Sequence, residues 1–177
     1  MKTSPKIQSL TTPSPLPDHP ALELRTDSRF GRGVFTTQDI PKDTHLAGFY
    51  GEFSEAATPQ DLPGDAAIYA LQCGPTLWRD GDPHTLGRYI NHSCEPNCGI
   101  RGLYDVVAMR DIKAGEQLFW HYGMTDRQQI YMTADVCKCG SKHCQQRFVP
   151  YAELSESQKA AWAGYCSSWL TAAESPL

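Results

Sequence analysis

One stretch restricts the fold more than any other part of the chain: residues 88–98, which read Arg-Tyr-Ile-Asn-His-Ser-Cys-Glu-Pro-Asn-Cys. Pro96 fixes its own φ and pushes the preceding residue toward extended geometry, so a helix cannot continue through it. Asn91 and Ser93 can bond to nearby backbone and hold a turn. Local features therefore fit either a polar turn with two buried thiols or a functional site. Other parts of the sequence are needed to distinguish these two interpretations.

Composition places the chain among soluble globular proteins. Its 177 residues are enough for one domain, and 40% apolar content with 10% aromatics supports a real core. Sixteen basic and twenty acidic residues give a charge of −4, which argues against direct nucleic-acid binding through phosphate contacts. Residues 43–78 contain five acids and no Lys or Arg. This acidic segment suits a basic partner, although a solvated acidic loop explains it equally well.

The N-terminal residues 1–20 contain no apolar run after Lys2 and Lys6, so they resemble neither a secretory signal nor a membrane span. Residues 3–20 carry five prolines, which predict a flexible or extended arm. Seven cysteines without an export signal favour metal ligation over a disulfide framework. We expect a cytoplasmic or nuclear protein without membrane contact, while secretion without a classical signal stays open.

Short apolar runs separated by turns predict a mostly β (α+β) domain. We expect strands at residues 21–25, 45–53, 67–72, 76–78, 103–109 and 117–122, and one more after the two glycines of segment 30–35. A helical turn is predicted within residues 54–66 and another within 125–132. The Ser155–Gln158 capping-box spacing predicts a terminal helix that continues over residues 159–170.

Gly31 and Gly33 flank Arg32 in a segment that runs straight into a strand. Two glycines expose backbone to which a ligand could bind, but a lone Gly-x-Gly is weak evidence for a ligand. A tight hairpin is the simpler explanation from these residues alone.

The spacing Cys-x-Cys-x4-Cys at Cys137, Cys139 and Cys144 indicates a metal site, because the following glycine lets three sulfurs converge. A structural zinc is tetrahedral and needs a fourth ligand. The candidates are Cys94, Cys98, His143, Cys73 and Cys166. A cysteine from residues 88–98 is favoured, since His143 adjoins Cys144 awkwardly. Closure by Cys94 would bring the strand at 117–122 toward Asn91 and His92.

These segments together resemble the SET-domain protein lysine methyltransferases over about residues 22–150. Residues 31–35 resemble the family's Gly-x-Gly segment, and 88–98 resemble its Arg-Phe-Ile-Asn-His-Ser-Cys-x-Pro-Asn motif almost residue for residue. Residues 115–122 resemble its Gly-Glu-Glu-Leu-Thr-Tyr-Asp-Tyr segment, and 137–144 resemble the post-SET zinc motif. The resemblance implies several small β-sheets with a C-terminal pseudoknot and a post-SET zinc loop, to which the capping-box spacing adds the terminal helix.

The resemblance also implies an activity, which is transfer of methyl groups from S-adenosylmethionine to a lysine of a histone or other basic protein. It assigns cofactor binding to Gly31, Arg32, Gly33, Arg88, Asn91 and His92, with backbone groups of His92 reading the adenine edge. It assigns zinc to Cys94, Cys137, Cys139 and Cys144. The implied division is an arm at 1–20, the SET domain at 21–124, a post-SET segment at 125–150 and a helical extension at 151–177.

Tyr122 aligns with the family's active-site tyrosine, and three departures surround it. Trp120 stands where the family has Tyr or Phe, at a position that influences how many methyls the lysine accepts, so we expect mono- or dimethylation. Phe49 replaces a tyrosine, with Tyr50 beside it, so one catalytic hydroxyl is missing or displaced. His121 replaces an aspartate. Two alternatives stay open: a catalytically silent module that binds a basic peptide, and methylation of a non-protein amine.

Overall fold

The structure, a computed structural model, describes residues 15–128 and 136–172. Its strands are β1 (Leu22–Asp27), β2 (Gly31–Thr36), β3 (His45–Gly48), β4 (Phe53–Glu55), β5 (Leu71–Gln72), β6 (Leu77–Arg79), β7 (Asn91–His92), β8 (Cys98–Arg101), β9 (Asp105–Ala108) and β10 (Phe119–Trp120). Its helices are α1 (Ala66–Tyr69), α2 (Glu156–Ala161) and α3 (Ser168–Ala172), with 3₁₀ turns at Pro59–Asp61, Gly87–Tyr89, Tyr122–Met124 and Tyr151–Glu153. Most of the predicted arm and residues 129–132 of the predicted turn lie outside the described residues.

The strands form several small sheets rather than one large sheet. Antiparallel pairing gives a hairpin of β1 with β2 and two three-stranded sheets in the orders β3-β9-β8 and β4-β6-β5. The hairpin and the three-stranded sheets share one apolar core, to which Val34, Leu46, Ile100 and Val106 contribute fully buried side chains. This architecture confirms the predicted mostly β fold with small sheets.

The remaining pair, β7 with β10, is parallel and joins residues far apart in the chain. Phe119 lies opposite Asn91, and Trp120 lies opposite His92. The N–H of Ser93 extends the pairing by donating to the carbonyl of Trp120 at 3.1 Å. A late segment of the chain therefore lies directly against the 88–98 stretch, which is the contact expected of a C-terminal pseudoknot.

Asn97 fastens this contact with its side chain. Its Nδ2 donates to the carbonyl of Gln117 at 2.8 Å, and its Oδ1 accepts from the N–H of Phe119 at 2.8 Å. Its own N–H donates to the Phe119 carbonyl at 3.0 Å. Because Asn97 is only 3% exposed, water cannot replace these bonds without opening the core.

Two predicted strands are wrong in their extent. The run predicted at 45–53 is divided between β3 and β4, which belong to different sheets. The chain bends between them, where the Gly51 N–H donates to the carbonyl of Asp80 at 2.9 Å and a Cβ on Gly51 would meet that oxygen at 2.5 Å. The run predicted at 67–72 begins as helix α1, and only Leu71–Gln72 is strand.

The single terminal helix predicted at 159–170 is also wrong. The capping box at Ser155 and Gln158 forms as expected and starts α2. The helix then ends before Gly164, whose φ of +81° cannot be accommodated in a right-handed helix, and α3 begins separately. None of the helices within residues 15–128 and 136–172 combines the length and apolar character required of a membrane span.

Residues 15–20 have no regular secondary structure but lie against the core. The His19 N–H donates to the Leu46 carbonyl, and Oδ2 of Asp18 accepts from the Leu86 N–H, both at 2.7 Å. The described end of the Pro-rich segment is therefore fixed to β3 and to Leu86, just before the 3₁₀ turn Gly87–Tyr89.

Replacement of Asn97 by Ala is expected to lower the free energy of unfolding by about 2–4 kcal/mol, because two buried backbone groups lose their partners. Urea denaturation monitored by tryptophan fluorescence measures the change. Gln60→Ala removes an exposed amide and should stay within about 0.5 kcal/mol of wild type. Equal stability of Asn97→Ala and wild type would contradict the role given to this side chain.

Candidate active site and metal centre

A pocket with a volume of about 260 Å³ opens where β2, α1, β7 and β10 meet. Its lining includes six residues that the sequence analysis singled out: Arg32, Phe49, Arg88, Asn91, Trp120 and Tyr122. The structure thus brings together residues that span 90 positions of the chain, from 32 to 122. Tyr69 and Asp126 also line the pocket, and the sequence analysis missed both.

One wall of the pocket is aromatic. The Trp120 ring lies 6.0 Å from Phe49 and 5.1 Å from Tyr122, measured between centroids. The indole N–H of Trp120 donates to the Ile90 carbonyl at 3.1 Å, which holds the ring in one orientation. Burial raises the pKa of the Tyr122 hydroxyl well above its usual range, so the hydroxyl stays protonated at neutral pH.

Tyr50, in contrast, is not brought to the pocket. Its hydroxyl donates to Oδ1 of Asp105 at 2.7 Å, and its ring packs edge-on against Tyr104 at 5.8 Å. Of these two neighbouring residues, only Phe49 lines the pocket. The hydroxyl that the family carries at this position is missing here and is not supplied by the neighbouring tyrosine.

Gly33, unlike Gly31, has the side chains of Gln117 and Asn91 packed where a Cβ would stand. A Cβ on Gly33 would lie 2.2 Å from Nε2 of Gln117 and 3.2 Å from Nδ2 of Asn91. Gly31 has a φ of +73°, which disfavours residues with a side chain. Nδ2 of Asn91 donates to the Arg32 carbonyl at 2.8 Å and ties the two strands together. Within the Gly-x-Gly segment, Arg32 lines the pocket, and Gly31 and Gly33 are not among the lining residues.

Two guanidinium groups lie at the pocket, each on an aromatic ring. Arg32 lies over Tyr89 at 4.4 Å, and Arg88 lies over Tyr69 at 4.0 Å. Arg88 is buried, and its Nη2 pairs with Oδ2 of Asp65 at 2.8 Å. The pocket thus presents positive charge that can receive an anionic group of a ligand.

The ring of His92 points away from the pocket and toward the cysteines. Its Nδ1 accepts from the N–H of Tyr122 at 3.3 Å, so we place the proton on Nε2, which lies 3.6 Å from Sγ of Cys94. Burial lowers the pKa of His92 to about 3, so the ring is neutral. Phe148, another residue that sequence reasoning missed, packs on His92 at 4.9 Å and stacks on Tyr122 at 5.9 Å.

His121 is a buried, neutral ring. Its Nδ1 accepts from the Gly123 N–H at 3.1 Å, and the ring packs against Trp162 at 4.9 Å and His92 at 4.7 Å. Burial lowers its pKa to about 4. The replacement of the family's aspartate therefore gives a packing residue between the 3₁₀ turn and the C-terminal extension.

The four cysteines Cys94, Cys137, Cys139 and Cys144 converge, with all sulfurs within 4.8 Å of one another. Sγ of Cys137 lies 3.9 Å from that of Cys94 and 3.8 Å from that of Cys144. A tetrahedral zinc with Zn–S bonds of about 2.3 Å holds its sulfurs roughly 3.8 Å apart. The donor set and its spacing therefore fit zinc.

The other candidate ligands lie elsewhere. His143 pairs through Nδ1 with Oε1 of Glu95 at 2.6 Å. Cys98 donates to the Phe119 carbonyl at 3.2 Å, and Cys73 and Cys166 are buried outside the cluster. Burial raises the pKa of the Cys73 thiol to about 12, which is typical of a structural thiol.

Comparison with known proteins identifies the family whose sequence pattern covers these pocket residues. A profile of the SET domain matches residues 31–123, which include the Gly-x-Gly segment, the 88–98 stretch and Tyr122. A Mycosarcoma maydis protein named Histone-lysine N-methyltransferase, H3 lysine-36 specific, is 31% identical over 128 residues, covering 64% of this chain and 13% of that protein.

Two further relatives carry similar names. Histone-lysine N-methyltransferase ASHH2 of Arabidopsis thaliana is 38% identical over 128 residues, covering 64% of this chain and 7% of that protein. Histone-lysine N-methyltransferase SUV39H1-A of Danio rerio is 25% identical over 162 residues, covering 70% of this chain and 39% of that protein. The chain spans well under half the length of these relatives. Since the profile match covers more than half of its residues, the chain belongs to the SET-domain family.

Proposed function

We propose that the chain is an S-adenosylmethionine-dependent protein lysine N-methyltransferase that acts on a histone or another basic protein in the nucleus or cytoplasm. The observation that carries the proposal is the convergence of Tyr122, Trp120 and Phe49 with Arg32 and Asn91 around one pocket. An aromatic wall and a polar, cationic wall in one cavity suit a lysine side chain and a methyl donor respectively. The names of the relatives support the same reaction.

The polar wall fits the cofactor. Gly31 is exposed and has open space beside its backbone, so a ligand can approach the main chain next to Arg32. Arg32 and Arg88 would receive its carboxylate, and Asn91 with the backbone of the next residue would hold its polar edge. When bound, the cofactor supplies an electrophilic methyl group on a positively charged sulfur.

The aromatic wall fits the lysine. A lysine amine has a pKa of about 10.4 in water, so it arrives protonated and must lose a proton before it can attack a methyl group. Apolar walls disfavour the ammonium form by desolvation and restrict the amine to a narrow range of approach. The protonated hydroxyl of Tyr122 would orient the amine through a hydrogen bond.

Incubation of the chain with radiolabelled S-adenosylmethionine and a protein extract tests the proposal. Label on protein, traced by mass spectrometry to a lysine, supports it and names the substrate. Bound cofactor without any label transfer would favour the silent peptide-binding module, and label only in the small-molecule fraction would favour a non-protein amine. The acidic segment at 43–78 supports a Lys/Arg-rich substrate.

The Tyr122→Phe variant is expected to lose about a hundredfold or more in kcat, because the hydroxyl that orients the amine is gone while the ring remains. Its affinity for S-adenosylmethionine, measured by calorimetry, should equal that of wild type. Tyr165→Phe removes a hydroxyl outside the pocket and should keep wild-type activity. A wild-type rate for Tyr122→Phe would show that the catalytic position is assigned wrongly.

Trp120→Phe is expected to shift the product toward higher methylation. The smaller ring widens the aromatic wall beside Phe49 and Tyr122, so a methylated amine can turn and react again. Mass spectrometry of the substrate lysine measures the ratio of mono-, di- and trimethyl forms. Trp162→Phe, at a buried tryptophan outside the pocket, is the control. A wild-type protein that already makes mostly trimethyl-lysine would contradict the narrowing role of Trp120.

We also propose that the four-cysteine cluster holds a structural zinc that fixes the post-SET segment at 125–150 to the SET domain at 21–124. Backbone N–H groups support thiolate ligands: that of Gln145 points to Cys94, that of Gln146 to Cys144 and that of Cys94 to Cys139, at 3.4–3.5 Å. The extension at 151–177 would form a further unit that packs behind Tyr122.

Cys139→Ser is expected to lose the bound zinc and to make the segment around 137–150 sensitive to protease, since metal binding at such a site is largely folding free energy. Inductively coupled plasma mass spectrometry of the purified protein measures the zinc content, and limited proteolysis measures how readily protease cuts the segment around 137–150. Cys73→Ala should keep one zinc per chain because its sulfur lies outside the cluster. One zinc per chain in Cys139→Ser would disprove the ligand assignment.

A further inference from the structure

Asp126 lies in the pocket with Tyr122 and has no role in the reaction described above. It follows the 3₁₀ turn Tyr122–Met124, and its N–H donates to the Tyr122 carbonyl at 3.2 Å. Among the pocket-lining residues that the structure describes, it is the acidic one. Its carboxyl group therefore contributes the negative charge of a pocket whose other charged side chains are Arg32 and Arg88.

The backbone around Asp126 is held from several sides. The Tyr151 N–H donates to the Asp126 carbonyl at 2.9 Å, and the N–H of residue 127 donates to Oε1 of Gln72 at 3.2 Å. The indole N–H of Trp169 donates to the Thr125 carbonyl at 3.0 Å. The carboxyl group is therefore presented to the pocket from a fixed main chain, as a preorganised site requires.

Among the described residues, the side chain of Asp126 has one hydrogen-bond partner, which is neutral. Thr125 Oγ1 donates to Oδ1 of Asp126 at 3.1 Å. Within residues 15–128 and 136–172 no Lys, Arg or His forms an ion pair with Asp126, and residues 129–135 contain none of these three types. Burial raises the pKa of this carboxyl to about 7.

Neither pocket arginine forms an ion pair with Asp126, and both are assigned above to the carboxylate of the cofactor. Arg88 already pairs with Asp65, and Arg32 lies over Tyr89. A half-buried carboxylate without a cation costs stability, and proteins retain such groups where a ligand completes them. The proposed substrate brings the missing charge, because a lysine reaches the pocket as an ammonium ion.

We propose that Asp126 is a catalytic residue that pairs with the ammonium group of the target lysine and accepts its proton. This inference rests on the proposed function. In the step, one N–H bond of the ammonium breaks, an O–H bond forms on the carboxylate, and the amine is left neutral with a free electron pair. The proton leaves the carboxyl group to solvent after the product departs, so the overall reaction releases one proton.

The aromatic wall of the pocket favours this transfer. An ammonium–carboxylate pair becomes a neutral amine beside a neutral acid, and apolar walls stabilise the neutral pair relative to the charged one. A carboxyl with a pKa near 7 is ionised often enough to accept a proton and basic enough to hold it. Tyr122, whose hydroxyl has a raised pKa, orients the amine but does not remove the proton.

The first test needs no activity. In protein labelled with ¹³C at aspartate carboxyls, the Asp126 signal is identified by its absence in Asp126→Asn and titrated from pH 4 to 9. We expect a midpoint near 7, moved to lower pH by n-butylammonium chloride, because a bound cation favours the ionised carboxylate. The titratable or charged groups that share the pocket are Arg32, Arg88, Tyr69, Tyr89 and Tyr122. A midpoint that does not respond to the amine overturns the pairing.

The second test compares pH profiles of kcat/KM on the lysine found by mass spectrometry. In wild type kcat/KM should rise as Asp126 ionises, through pH 7. Asp126→Asn should be about 10²–10⁴-fold slower at pH 7 and keep rising above pH 8, where the substrate amine itself begins to lose its proton. A profile identical to wild type overturns the proposal.

If Asp126 only stabilised the fold, or if it bound the cofactor, the Asp126→Asn variant would behave differently from what the proposal predicts. The folded protein holds this carboxyl at a raised pKa, so the ionised form destabilises the fold above pH 7, and the destabilisation disappears below about pH 4. Asp126→Asn should therefore melt higher than wild type at pH 8, by a margin that shrinks at pH 5. The exposed Glu23→Gln is the matched control.

A lower melting temperature of Asp126→Asn at pH 8 would assign Asp126 a structural role and overturn the proposal. So would a tenfold loss of affinity for S-adenosylmethionine in this variant, which would assign the carboxyl to the cofactor. If wild type transfers no methyl group, the proposed function fails, while the response of the Asp126 carboxyl to n-butylammonium still decides whether the pocket pairs with an amine.

Discussion

The parallel contact between β7 and β10 is the interaction on which the rest of the molecule depends. Two residue pairs are few for a sheet. The contact is strengthened by Asn97, whose side-chain amide donates to the Gln117 carbonyl and accepts from the Phe119 N–H. This contact carries Trp120 and Tyr122 to one side of Asn91. Without it the aromatic wall and the polar wall of the pocket would belong to separate parts of the chain.

The same stretch also carries the metal centre. His92 accepts a hydrogen bond from the Tyr122 backbone on one side and lies against Sγ of Cys94 on the other. A metal held by Cys94 and the three later cysteines would therefore act on a residue that contacts Tyr122. Phe148 adds a second connection, because it follows the cysteine cluster and stacks on Tyr122. Loss of a metal from the cluster should therefore perturb Tyr122 in the pocket as well as the loop that carries Cys137, Cys139 and Cys144.

The sequence was sufficient where chemistry needs particular residue types at particular spacings. The convergence of the cysteines and the capping box at Ser155 were predicted, because each follows a local rule with few alternatives, whereas Gly31 and Gly33, expected in a turn before a strand, lie within β2. Elements whose conformation depends on tertiary contacts were not predicted correctly. Helix α1 has only four residues, too few to show a period, and its partly apolar sequence also suits a strand. Asp126 lacked any local pattern, since only the folded structure shows that it lines the same pocket as Tyr122.

The C-terminal extension explains the substitution at position 121. Trp162 packs on the ring of His121, and the Ser167 N–H donates to the Met124 carbonyl at 2.7 Å, so the extension packs directly against the 3₁₀ turn Tyr122–Met124. A carboxylate at 121 would be buried against an indole and would require a cation or a raised pKa. A neutral imidazole avoids that cost and still accepts the Gly123 N–H. Histidine at 121 therefore lets the extension pack closely enough to hold the backbone that presents Asp126 to the pocket.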